Sequence, residues 1–173
     1  MKRLVLFLSI TALLVACGPS RQDRIDQIED FEDSLTESAI VVDSAAAEQL
    51  TNLYVEFADK YPSDSLAPQY LMKAADMQSN VMNTERAVAL FDRIIENYPD
   101  FDQLPICYFL KGNAYESNSQ FEEAKAAYQV FVDKFPDHFM AEQTRKMIPL
   151  VGMSPEEMLD KILDDANNSI IAQ

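Results

Sequence analysis

Ile94-Ile95-Glu96-Asn97-Tyr98-Pro99-Asp100 (IIENYPD) reads as the last turn of a helix, stopped by an aromatic residue and a proline. The chain writes this ending three times. Thirty-seven residues earlier stands FADKYPSD (57–64), and thirty-seven later FVDKFPDH (131–138). Pro62, Pro99 and Pro136 therefore recur at one period, each behind an aromatic residue: Tyr61, Tyr98 and Phe135. A fixed period of this size is the mark of stacked structural repeats, each too small to bury its own apolar face.

Outward from these endings the pattern is helical. Leu50, Leu53, Tyr54, Phe57 and Ala58 form a stripe ahead of Pro62, and Ala87, Leu90, Phe91, Ile94 and Ile95 form one ahead of Pro99. Ala124, Ala127, Tyr128 and Phe131 do the same ahead of Pro136. Recurrence at three and four residues marks one face of a helix. Before the second and third of these runs stands another helix, with Tyr70, Leu71, Ala74 and Met77 in one and Tyr108, Leu110, Gly112 and Tyr115 in the other. The breaks SNVMN (79–83) and SNSQ (117–120) separate the members of each pair. An acidic helix with Ile25, Ile28, Phe31 and Leu35 precedes the first stripe, and SAIVVDS (38–44) interrupts the two, with Asp43 or Ser44 able to cap the next helix. After Pro136 one further helix is expected from Phe139 to about Ile148. Ser154-Pro155-Glu156-Glu157 then opens a last one, with a capping serine, a proline at the first helical position and a glutamate placed to bond back to the serine N–H.

Residues 105–138 resemble the tetratricopeptide repeat, two antiparallel helices in 34 residues. Its aromatic, small and proline places are held here by Tyr108, Gly112, Tyr115, Ala124, Tyr128 and Pro136, which the resemblance makes packing residues. Phe131 departs from the usual alanine. Residues 67–99 are similar through Tyr70, Ala74, Met77, Ala87, Phe91 and Pro99, while 45–62 match the second helix alone. The expected fold is all-α: a tetratricopeptide-type, right-handed stack of about three helix pairs with a C-terminal capping helix.

The N-terminus is of another kind. Lys2 and Arg3 precede the apolar run LVLFLSITALLVAC (4–17), the arrangement of a secretory signal. Leu14-Val15-Ala16-Cys17 resembles the bacterial lipobox, which implies cleavage before Cys17 and a lipid on its sulfur. The organisation expected is a signal peptide over 1–16, a lipidated tether over 17–22, and an acidic helix with a half repeat over 23–62. Two repeats follow over 67–138, terminal helices over 139–166 and a frayed tail over 167–173. Lipobox and repeats together resemble tetratricopeptide outer-membrane lipoproteins, similar in style to the BamD-like barrel-assembly lipoproteins, though this chain is too short for their five repeats. GPSRQ (18–22) lacks the aspartate that retains lipoproteins in the inner membrane and the acidic cluster of exported ones. By that resemblance the expected location is the outer membrane, facing the periplasm.

The formal charge is −15, and all 29 acidic residues lie beyond Cys17. Such a surface repels phosphate backbones and excludes nucleic acid as a partner. Catalytic chemistry is not recognisable. The single histidine, His138, stands at a turn without a set of partners, and Cys107 has no histidine at helical spacing to activate it. Asp100-Phe101-Asp102 lacks the glycine and final glutamate of a calcium loop and reads as a helix cap. No cofactor or metal is expected. In a helix-pair stack the first helices line the concave face. Counted by the repeat, the inward positions are Leu71, Ala75, Gln78, Ile106, Phe109, Asn113, Glu116, Met140, Gln143 and Met147, with Phe109 as aromatic anchor. These point to a scaffold that holds an envelope protein or peptide segment. The alternative is an envelope enzyme or enzyme accessory acting on peptidoglycan. Oligomeric state is left open.

Overall fold

A computed structural model describes residues 18–37 and 43–171, with side chains to Asp164. Cys17, the expected signal segment and most of the expected break at 38–44 lie outside the described residues. The elements are α1 (Arg21–Glu37), α2 (Ser44–Lys60), α3 (Leu66–Asn80), α4 (Thr84–Asn97), α5 (Leu104–Ser117), α6 (Phe121–Lys134), α7 (Ala141–Met147), a 310 turn (Ile148–Leu150) and α8 (Pro155–Ile171). There is no strand among the described residues. From α1 to α7 each helix packs on its successor, and α3 also meets α5. That is the stacked all-α architecture expected of tetratricopeptide-type repeats.

The aromatic-proline endings are one structure built three times. Tyr61, Tyr98 and Phe135 end α2, α4 and α6 with φ of −127°, −130° and −128° and ψ of 58°, 59° and 57°. Each donates its backbone N–H to the carbonyl four residues back at 2.9 Å. Proline's ring clashes with helical backbone in the residue before it, so the aromatic leaves the helix there. The turns inside the pairs repeat as well. Met82 and Ser119, again 37 apart, have φ of 61° and 58°. After each, the next N–H reaches back five residues, from Asn83 to Gln78 O and from Gln120 to Tyr115 O, both at 2.9 Å. This is the Schellman ending, with methionine and serine at the left-handed place that glycine usually fills.

Side chains cap the starts of α1, α2 and α8, while α3 to α7 begin without a side-chain cap. Asp43 accepts the N–H of Ala46 at 2.8 Å. Ser154 and Glu157 bond reciprocally, Ser154 N to Glu157 Oε2 at 2.7 Å and Glu157 N to Ser154 Oγ at 3.3 Å, as the sequence predicts. Ser20 and Asp23 form a second such pair, at 2.8 and 3.2 Å, so α1 begins inside the expected tether. Asp102, by contrast, is no cap. Gln103 occupies that place before α5 and makes no side-chain bond there.

One core runs from α1 to α5 through Ile25, Ile28, Leu50, Tyr54, Phe57, Leu71, Phe91 and Ile94, among others. Two smaller clusters continue it. Ala124, Tyr128 and Val151 form one, Phe131, Val132 and Ala141 the other. Glu32 ties the first three helices together, accepting the Tyr54 hydroxyl at 2.5 Å and the Lys73 ammonium at 2.7 Å. The C-terminus differs from expectation in three ways. The helix after Pro136 begins only at Ala141, leaving Phe139 84% exposed. α8 continues to Ile171 through the stretch expected to fray, with no glycine or proline after Pro155 to stop it. Its apolar side does not cap the stack either: Leu159, Ile162 and Leu163 are 57%, 54% and 52% exposed.

Candidate interaction surface

Of the expected inward positions, those on α3 are core. Leu71 and Ala75 have no exposure, and Gln78 has 1%. Gln78 Nε2 donates to Thr51 Oγ1 on α2 at 2.8 Å, while its carbonyl oxygen accepts from Asn83 Nδ2 at 2.8 Å. α3 lies between α2 and α4 and against α5, and its alanines at 67, 74 and 75 let those neighbours close over it. No partner can reach these three side chains in this fold.

The C-terminal half is more open, for α7 is only seven residues long. Phe109 is nevertheless a packing residue and not a free anchor. Its ring sits 5.2 Å from that of Tyr128 and 5.8 Å from that of Phe131, and it joins the two smaller clusters. Met147 packs into one of them and Met140 into the other. Glu116 accepts the Tyr128 hydroxyl at 2.6 Å. Burial and this carboxylate hold the Tyr128 phenol well above its ordinary range, with Asn113 acting weakly the other way. Ile106 is half-buried, and Asn113 and Gln143 are exposed. The structure thus brings no continuous apolar groove together from these positions.

The packing residues meet closely. A Cβ on Gly112 would fall 2.6 Å from two ring carbons of Tyr128, so this helix crossing needs glycine. Ala124 is fully buried, and Tyr115 packs beside it. Tyr108 meets the edge of Phe135 at 5.3 Å, with the Lys134 ammonium 5.6 Å above its ring. Pro136 follows directly.

Sequence reasoning missed a cleft of about 530 Å³ between the turns after α2 and α4. Pro62, Pro68, Tyr98, Pro99 and Phe101 line it, with Asp64, Asp100 and Asp102 at its edge. The recurring aromatic-proline turns were the available signal, since two equal turns side by side leave a gap between them. Asp64 is engaged by Arg21 at 2.5 Å, which holds its carboxyl below the usual range. Among the described residues no three histidine, cysteine or acidic side chains are placed to hold a metal. Cys107 is fully buried, and burial pushes its thiol up to about 12. It is unreactive core.

Residues 69–100 and 107–138 each match the family described as tetratricopeptide repeat. Two such repeats are present. Their bounds fall on α3–α4 and α5–α6 with the turn that follows each pair, in the register set by Pro99 and Pro136. Tetratricopeptide repeats are protein–protein interaction modules, and the proteins that carry them are typically scaffolds without catalysis. No curated protein matches the chain significantly.

Proposed function

We propose that the chain is a non-enzymatic interaction scaffold, anchored by lipid on Cys17 in a bacterial cell envelope and facing the periplasm from the outer membrane. The observation that carries this reading is a conjunction in one short chain. A basic start, an apolar run and Leu14-Val15-Ala16-Cys17 stand ahead of two interaction repeats. Membrane attachment is assigned to the lipid that the lipobox resemblance of Leu14-Val15-Ala16-Cys17 implies. A role in outer-membrane protein assembly or envelope maintenance follows from the lipoprotein resemblance, and the partner is an envelope protein or a segment of one.

The test is Cys17→Ser in the full chain, expressed with labelled palmitate. Label should disappear and the uncleaved precursor should accumulate. Label retained by the serine variant would end the lipoprotein reading. Protease added to intact cells should spare the wild-type protein; rapid digestion would place it on the outer surface instead. Detergent extraction followed by identification of co-purifying envelope proteins tests the scaffold reading separately.

A further inference from the structure

We propose that the outward face of α8 is the docking site for an amphipathic helix of a partner protein, apolar on one side and basic along its edge. The proposal rests on the scaffold reading and names the chemistry of its partner. α8 is a helix made by its own sequence. Ser154 and Glu157 cap it reciprocally and Pro155 opens it, so its start is set by its own residues. Its root is fixed. Val151 is buried with Ala124 and Tyr128, and Gly152, at φ 80°, lies so close to Phe121 that a Cβ would fall 2.7 Å from the ring. From that root the helix presents Leu159, Ile162 and Leu163 to solvent, three and four residues apart on one side, with Met158 half-buried beside them. Exposed apolar stripes with polar rims are interaction faces.

Charge selects the occupant. Glu156 and Asp160, one turn apart, border the stripe and are exposed, and neither has a cationic partner among the described residues. The nearest cations in sequence before α8, Arg145 and Lys146, are both engaged with Glu142. A second copy would bring the same acidic edge on a chain of formal charge −15. An anionic lipid surface would be repelled for the same reason. A helix carrying lysine or arginine beside its apolar face satisfies both features.

The probe is a synthetic helical peptide of roughly five turns, leucine on one face with lysine edges, labelled for fluorescence anisotropy against the full chain. Its counterpart carries glutamate at the edges. The lysine peptide should bind and the glutamate peptide should not. Leu159→Ser/Leu163→Ser should weaken binding at least about tenfold, as should Glu156→Lys/Asp160→Lys, which should also admit the glutamate peptide. Asp26→Lys/Asp30→Lys, on the exposed acidic face of α1, should leave affinity within about twofold, a change too small to signal a shared site. An equal loss there would mean undirected attraction and would overturn the assignment. So would failure of the lysine peptide to bind, or a melting point collapsed by the serine pair. Sedimentation as a dimer that the serine pair splits would make a second copy the occupant. Wild-type binding to neutral phosphatidylcholine vesicles, lost in that pair, would make it a lipid surface. If envelope partners still co-purify with the serine pair, the scaffold reading stands and this site falls.

Discussion

Replacing Gly112 with alanine should destabilise the protein, although alanine is the better helix former. The added Cβ would lie 2.6 Å from Cδ1 and Cε1 of Tyr128. Carbon contacts are normally about 3.5–4.0 Å, so a movement of roughly 1 Å is needed. Tyr128 cannot supply it freely. Its ring is 1% exposed, lies 5.2 Å from Phe109 and is pinned by its hydroxyl bond to Glu116. Overpacking of this kind costs about 1–3 kcal/mol. Against it stands a gain of about 1 kcal/mol from replacing glycine inside a helix. The net loss should be up to about 2 kcal/mol, which lowers the melting point by up to roughly 8 °C at this chain size. Thermal melting followed by helical circular dichroism measures it. Repeating the substitution in a Tyr128→Leu background is the decisive arm. Leucine's methyls can rotate off the site, so the clash goes and the helix gain remains. There Gly112→Ala should raise stability by up to about 1 kcal/mol. A rise in the wild-type background, or the same effect in both, would refute the close crossing.

At Ser119, glycine should relieve the left-handed backbone and raise stability by about 0.5–1 kcal/mol, read from urea unfolding. Gln78→Ala should cost about 1–3 kcal/mol, since it strands the Thr51 hydroxyl inside the core; an unchanged urea midpoint would return Gln78 to a surface role. Cys107 should resist a thiol reagent at pH 8 until denaturant is added, because burial keeps it protonated. From about pH 9 the unfolded chain ionises this thiol while the folded one, titrating at about 12, does not. Stability should therefore fall as pH rises through that window, with buried Tyr54 and Tyr128 pulling the same way.

The repeat was legible because its punctuation is local. A proline dictates the conformation of the residue before it whatever surrounds them, so Tyr61, Tyr98 and Phe135 could be placed from sequence alone. The Ser154 cap was legible for the same reason. The groove was not. Leu71, Ala75 and Gln78 were assigned by position within one repeat, whereas their burial depends on neighbouring helices closing over α3. The clue lay in α3 itself, apolar on more than one side with alanines at 67, 74 and 75, the pattern of a helix covered from several directions. Phe109 misled similarly, since an aromatic at an inward position serves equally to fill space against Tyr128 and Phe131. For α8 the sequence shows an apolar stripe, and such stripes are ordinarily buried. Which surface receives it is not a property of the helix.

The arginines of α4 carry a mechanical consequence. Arg86 reaches Glu48 and Asn52 on α2, and Arg93 reaches Asp59 on α2 at 2.6 Å. These bonds link alternate helices of the chain, second member of one pair to second member of the next. They act as struts across α3, bracing how far apart these two pairs stand. Arg86 grips two acceptors at once with its planar fork, which a lysine could not reproduce. Both struts are partly open to water, where dissolved ions screen charge over about 8 Å at physiological strength. Stiffness between these two pairs is thereby coupled to salt: in dilute medium this part of the stack is a braced spring, and in concentrated medium the same spring with its braces slackened.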